Sequence, residues 1–397
     1  MKAFCRYPFT HLYSDIHHMM QPCCVAYCDH PYKNNDDAQF KAVHISEGCY
    51  NFFRSEQMKQ LRKDMQKEDP LTPLVRDVCR NCIAMEEQNI PSIREPLETP
   101  VLFGRVLDVK MKLFGNACNL QCFMCNPKNS SGRLSQAKKL IEYNPDLEQF
   151  LYYDNIELYQ KENSGYDLAI DDPKLFESQI ENIKKISNKI KHITVYGGEP
   201  FLLQSHYKLL DALIEVKEAK NISLTYDSNM TVLHWAEHKV IDYVKQFKDV
   251  IIEWSVEGVG EYNNYIRFPS KWDNIIKNIN EIRPHLHKFN ASITLSALSV
   301  LHLDKLVEWL NFNQITYRFN FVINPKVCRI DALHPSIRKK LVDKYRGTDL
   351  DFLCKTLSED VSDWEIKWKN FLNYIEAIDY VNRTDYKKTF PELCNLS

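Results

Sequence analysis

From residue 192 onward, short apolar runs alternate with stretches whose apolar residues recur at helical spacing. Residues 192–196 (His192-Ile193-Thr194-Val195-Tyr196) read as a strand and 206–219 as a helix; 221–226 as a strand and 239–247 as a helix. The alternation continues with a strand at 250–255, a helix at 272–282, a strand at 292–297, a helix at 303–311 and a strand at 316–322. One further apolar run, 106–114, lies upstream and brings the strands to six. Strands separated by helices predict an α/β fold with a parallel sheet, because parallel neighbours need helical crossovers. Six such units are too few to close an eight-stranded barrel. Beyond Asn324-Pro325 the pattern turns helical, with helices expected at 335–345 and 364–380. Ahead of the alternation, 7–12 and 21–25 read as two short strands around a turn. Residues 55–66 read as a helix, with Met58, Leu61 and Met65 three and four apart, and 130–143 as another. Pro96 and Pro100 in the apolar-poor stretch 93–105 suggest a linker. The expected division is 1–100, 101–325 and 326–397, with a polar insertion at 144–172.

Composition narrows the class. Hydrophobic residues make up 44% and charged residues 26%, as in a soluble globular protein. Fifty-one basic against fifty-three acidic residues leave a net charge of −2, which argues against a nucleic-acid partner. Met1-Lys2-Ala3-Phe4-Cys5-Arg6 has no apolar core of an export leader, and no eighteen apolar residues run together, so neither secretion nor a membrane partner is expected. Thirteen cysteines in such a chain point to a cytoplasmic, reducing environment, where clustered thiols bind metal more often than they pair.

The chemistry concentrates in Cys118-Asn119-Leu120-Gln121-Cys122-Phe123-Met124-Cys125, a C-x3-C-x2-C loop following the 106–114 strand. Three thiols are one short of a closed tetrahedral zinc or iron–sulfur site. A [4Fe–4S] cluster held by three thiolates keeps one iron open to an outside ligand. The competing reading is a zinc loop that borrows a distant ligand. Seven more cysteines fall in the first hundred residues: Cys5, Cys23, Cys24, Cys28, Cys49, Cys79 and Cys82. Cys79-x-x-Cys82 with two thiols from 5–28 would make a four-sulfur site for either zinc or a cluster. Cys49 reads as a small buried hydrophobe, and Cys328, Cys354 and Cys394 lack metal-ligand spacing.

The C-x3-C-x2-C loop, followed by Tyr196-Gly197-Gly198-Glu199-Pro200 at the end of the next strand of the alternation, resembles the radical S-adenosylmethionine (SAM) superfamily. Phe4-Cys5-x-x-Pro8-Phe9-Thr10-His11, Pro22-Cys23-Cys24, Met58-x-x-Leu61-Arg62-x-x-Met65 and Cys79-x-x-Cys82-x-x-x-Glu86 are similar to twitch/SPASM-type members that carry an auxiliary-cluster segment at the N-terminus. The tail 386–393 looks like theirs too.

This resemblance implies a partial (β/α)6 barrel with an N-terminal cysteine-rich auxiliary-cluster domain and a helical C-terminal extension. It implies that Cys118, Cys122 and Cys125 hold a [4Fe–4S] cluster whose open iron binds SAM. Gly197, Gly198 and Glu199 would contact the SAM amino group. Ser255 would lie near its ribose and carboxylate, Glu257 near the ribose hydroxyls, and Arg267 against the carboxylate. A second, auxiliary iron–sulfur cluster would fall to Cys5, one of Cys23 and Cys24, Cys79 and Cys82, with Cys28 able to replace one of them. Met124 stands where relatives often have an aromatic, and Asp227-Ser228-Asn229 where they often have Thr-Asn-Gly, leaving a role for Asn229 in doubt. The implied activity is SAM cleavage to a 5′-deoxyadenosyl radical that abstracts hydrogen, fed by a one-electron reductant such as a flavodoxin or ferredoxin. A peptide or protein side chain is the leading substrate class; a nucleotide, sugar or other small-molecule substrate is the alternative, and a zinc-binding non-enzymatic module the reading from a different class.

Overall fold

The computed structural model describes residues 5–15, 18–31, 35–67, 71–87, 92–94, 107–111, 115–151 and 167–394. Most of the expected linker, Phe4 and the middle of the expected insertion lie outside these residues. The chain forms a mixed α/β fold with parallel strand pairing, in two compact units.

The first unit comprises 1–115, 166–226 and 238–251. Its strands are β1 (His11–Ser14), β2 (Met19–Gln21), β3 (Val43–His44), β4 (Leu107–Met111), β5 (Ile190–Val195) and β6 (Ser223–Ser228), in the order β3-β2-β1-β4-β5-β6. β1, β4, β5 and β6 pair in parallel, while β2 and β3 pair antiparallel. Leu12 aligns with Val109, Val109 with Ile193 and Ile193 with Leu224, a buried row across four strands. The parallel pairing of β1 with β4 ties the N-terminal segment directly to the first strand of the alternation. Residues 7–10, expected as part of a strand, form a helical turn instead, and β1 starts at His11. Pro8 explains the shift: its fixed φ suits the first turn of a helix. The helix Pro173–Ile186 was not among the sequence expectations, although Asp172 caps it, Pro173 opens it, and Phe176, Ile180 and Ile183 are buried along one side.

The second unit comprises 116–165, 227–237 and 252–397. Its strands run in the order β7 (Asp249–Ser255, of which 252–255 belong to this unit), β8 (Lys288–Leu295) and β9 (Thr316–Phe321), with β8 and β9 parallel. The helix Trp272–Ile282 falls at the expected bounds and Leu303–Phe312 within one residue of them. Parallel strands are usually apolar on both faces. Here β7 and β8 alternate, burying Ile252, Trp254, Ala291, Ile293 and Leu295 and leaving Glu253, Ser255, Asn290, Ser292 and Thr294 half-buried. A polar face on parallel strands is suited to lining a cavity rather than a core. The C-terminal helices Pro335–Tyr345 and Trp364–Asn382 complete the unit; Phe371 and Tyr374 of the latter pack edge-on against Phe123 of the thiol loop.

Candidate functional site

Backbone and hydroxyl groups of the second unit hold the loop that carries Cys118, Cys122 and Cys125. Gln121 N–H donates to Phe268 O at 2.6 Å, and Phe123 N–H to Ile266 O at 2.8 Å. Cys125 N–H closes a turn on Cys122 O at 3.0 Å. From below, the helix Ser131–Tyr143 begins against the same loop: Ser131 Oγ accepts from Cys118 N–H at 3.1 Å, and Ser130 Oγ donates to Leu120 O at 3.1 Å. Gly132 permits this approach, since a Cβ there would stand 2.6 Å from Leu120 O and 2.9 Å from Cys118 O. Asn229, whose role the sequence left in doubt, brings its amide nitrogen 3.2 Å from Asn119 Oδ1 and 4.0 Å from Cys118 Sγ.

Because the loop is bonded to residues 266–268, Arg267 stands beside the thiols. Its Nη1 donates to Glu257 Oε2 at 2.7 Å. Glu257 Oε1 accepts from Thr294 N–H at 3.3 Å, and its own N–H donates to Asn263 Oδ1 at 3.2 Å. Arg267 Nε is buried and makes no hydrogen bond. Such a buried donor is costly unless something outside the chain accepts it. Burial works against the charge on Arg267, but the neighbouring Cys122 and Glu257 push its pKa up. Burial pushes the Cys122 thiol up to about 12, with Arg267 and Arg133 opposing. A metal bound there would displace the thiol proton. Cys122, Cys125, Arg267, Thr294 and Phe321 share the lining of a cavity of about 640 Å³. Ser255 closes β7, half-buried.

In the first unit, β5 ends in the Gly197-Gly198-Glu199-Pro200 turn. Gly197 and Gly198 take φ of 92° and 57°, values that favour glycine. Glu199 is fully buried and accepts from Phe201 N–H at 3.3 Å. Tyr196, directly before the turn, lies within electrostatic reach of Tyr13, Cys24 and Asp15. Folding also gathers the N-terminal thiols. Cys23 interacts electrostatically with Cys24, Cys79 and Cys5, and Cys79 with Cys5 and Cys82. Burial pushes Cys23 well above the ordinary thiol value and Cys79 up to about 12. Arg94 stands beside Cys79 and Cys82 and grips Glu86 through Nε, at 2.7 Å, and Nη2. Cys28 and Cys49 are buried, and burial pushes Cys49 up to about 11. Among the described residues, no three His, Cys, Asp or Glu side chains converge as ligands of a single metal ion.

Residues 113–310 match the model of the Radical SAM superfamily. The matched stretch, just under half of the chain, is similar to a radical SAM domain. That stretch contains the thiol loop, the glycine turn, Ser255, Glu257 and Arg267, and it excludes the N-terminal cysteines. No curated protein matches the chain. Among solved structures, the chain is similar to native anSMEcpe with bound AdoMet, at 14% identity and a TM-score of 0.39 over 60% of each chain. It is similar to Streptococcus suis SuiB bound to S-adenosylmethionine, at 15% identity and a TM-score of 0.34 over 78% of this chain and 59% of SuiB. TYW1 with a lysine-pyruvate adduct bound matches at 13% identity and a TM-score of 0.29, over 58% of this chain and 70% of TYW1. The chain thus spans about three-fifths of the length of the first two. Sequence reasoning missed Arg133, a buried cation beneath the thiol loop. A helix of ordinary composition hides it, and its position emerges only from packing.

Proposed function

We propose that the protein is a radical SAM enzyme in which Cys118, Cys122 and Cys125 hold a [4Fe–4S] cluster and SAM lies against it in the 640 Å³ cavity. The observation that carries this reading is the cavity wall shared by Cys122, Cys125 and Arg267. The residues suit the group: three thiols on one loop leave an iron open, and the vacant Arg267 Nε offers a donor to a carboxylate. When bound, the reduced cluster supplies the electron that splits the SAM sulfonium into methionine and a 5′-deoxyadenosyl radical. Arg267, kept cationic by Glu257, would orient the SAM carboxylate. Gly197, Gly198 and Glu199 would receive its ammonium group, and Ser255 its ribose. The polar face of β7 and β8 would present hydrogen-bonding groups to the substrate.

The surrounding architecture is taken as a partial (β/α)6 barrel with an N-terminal auxiliary-cluster segment of twitch/SPASM type and a helical C-terminal extension. Cys5, Cys23 or Cys24, Cys79 and Cys82 would hold the auxiliary iron–sulfur cluster; their mutual proximity within one unit supports this. A peptide or protein side chain is the proposed substrate class, since relatives with such auxiliary segments mostly modify peptides. The described residues include no helix long and apolar enough to cross a membrane. A cytoplasmic setting with a flavodoxin or ferredoxin as reductant fits the thiol-rich composition.

Anaerobic reconstitution tests the reading. Two [4Fe–4S] clusters predict about eight irons per chain. Dithionite and SAM should then yield 5′-deoxyadenosine, and deuterium from a labelled substrate should appear in it. A colourless protein with stoichiometric zinc and no SAM cleavage would replace the enzyme with a zinc module.

A further inference from the structure

Arg133 lies eight residues beyond Cys125, on the helix Ser131–Tyr143, and is fully buried. Its Nε donates to Cys125 O at 3.3 Å. Nη2 donates to Phe123 O at 3.5 Å and to the Tyr374 hydroxyl, and Nη1 to Gln136 Oε1. Gln136 is itself anchored, donating to Asn382 Oδ1 at 2.8 Å. Cys328, also fully buried, donates its thiol to Phe123 O at 3.4 Å. Every partner of the guanidinium is neutral: two carbonyls, an amide and a phenol. Among the described residues, the groups with which its charge interacts are the thiols of Cys328, Cys125 and Cys122, and none is a carboxylate.

A permanently charged guanidinium sealed from water without a counter-ion is costly to bury. Two carbonyls do not require that charge; a neutral amide would tie them together with less desolvation. The arrangement makes sense if the missing negative charge arrives with a ligand of the loop. A [4Fe–4S] core carried by three thiolates is net anionic, and reduction adds a further negative charge.

We propose that Arg133 is the fixed counter-charge of the cluster on Cys118, Cys122 and Cys125, favouring its reduced form and so raising its reduction potential. This rests on the cluster assignment proposed above. Arg133 is a positioning residue: it reaches the cluster through the loop carbonyls and through the low-dielectric interior, and touches neither SAM nor substrate. The sign follows from electrostatics, since a nearby cation stabilises the more negative of two redox states.

The test is the midpoint potential of the reconstituted full-length protein, followed by EPR on the reduced signal that changes when SAM is added. Three variants are compared with the parent. Arg133→Met removes the charge, Arg133→Lys keeps it, and Gln136→Glu leaves the guanidinium in place while giving it a carboxylate partner. Arg133→Met and Gln136→Glu should both shift the potential to more negative values, with Arg133→Lys staying nearer the parent. Should Arg133→Met fail to fold, Gln136→Glu carries the same expectation without touching the arginine. A parent that loads its cluster, with Gln136→Glu and any folded Arg133→Met keeping its potential, would overturn the counter-charge role and leave the enzyme reading intact. A parent with no cluster on this loop would remove both.

Discussion

The two cysteine groups are built in opposite ways. Cys118, Cys122 and Cys125 fall within eight residues, on a loop clamped by the carbonyls of Ile266 and Phe268 and seated on the start of a helix. Cys5, Cys23, Cys79 and Cys82 come from segments as far apart as residues 5 and 82, gathered by the β1–β2 hairpin and the helices Pro73–Val78 and Arg80–Glu87. Each group has an arginine held by a glutamate. Arg94 spends two nitrogens on both oxygens of Glu86 and leaves a buried Nη1 unbonded, whereas Arg267 spends one on Glu257, leaves a buried Nε unbonded and lines the cavity beside Cys122 and Cys125. The first design is a local loop held in place by the backbone around it, with its arginine on a cavity wall. The second is an assembly whose geometry depends on everything that brings the chain together.

The largest effect should come from removing each set of thiols in turn. Replacing Cys118, Cys122 and Cys125 with alanine should abolish 5′-deoxyadenosine formation altogether. Cys79→Ala with Cys82→Ala should leave uncoupled SAM cleavage within a few-fold of the parent while turnover of the true substrate falls steeply. Quantifying 5′-deoxyadenosine and product on the same folded variants checks both; equal losses in the two assays would erase the proposed division of labour.

Chelation should separate the groups by stability. Long-range ligands couple metal binding to folding, because loop closure must be met by other contacts once the metal leaves. Hydrogen exchange of iron-free protein should therefore show amides in residues 71–87 losing protection by about tenfold or more, while those of Gln121 and Phe123 keep theirs. Uniform loss across both regions would contradict the prebuilt loop.

The same contrast explains what could be read from the chain. Spacing exposed the thiol loop and the glycine turn because both are local, and periodicity placed the strands from 190 onward and most of their helices to within a few residues. The parallel pairing of β1 with β4 was not legible, since it joins segments about a hundred residues apart with no local signature. Arg133 was hidden for the same reason: its partners Phe123 and Cys125 lie on the thiol loop and Tyr374 on a helix some 240 residues further along. Asn229 was discounted because Asp227-Ser228-Asn229 departs from an expected pattern, yet the fold brings its amide to the Cys118 sulfur. The helix Pro173–Ile186 carries its cap and its periodic isoleucines in the sequence, but it follows directly on a polar stretch with no period of its own.

A smaller effect should follow Gly132→Ala. The added methyl meets two loop carbonyls, so the helix start or the loop must give way, at a cost of about 1–3 kcal/mol. Thermal unfolding and iron content should both fall, the latter on the thiol loop and not on the N-terminal group. A variant with unchanged melting and full iron would mean that the loop and helix separate more easily than their hydrogen bonds suggest.

The smallest and most specific effect concerns the two arginines. Arg267→Lys keeps a positive charge near Glu257 but replaces a fork with a single ammonium, so the Nε donor is lost. If that donor meets the SAM carboxylate, one charge-assisted hydrogen bond disappears, about 1–2 kcal/mol or roughly tenfold in SAM affinity. Arg94→Lys makes the same chemical change in the other group, where both oxygens of Glu86 are already engaged, and should leave SAM affinity unchanged. Calorimetric titration of SAM into both reconstituted variants is the measurement. Equal weakening would point to a general loss of cluster integrity, which iron content would register. Unchanged binding in Arg267→Lys would mean that the vacant Nε serves something other than SAM, and the carboxylate contact would have to be sought elsewhere in the cavity wall.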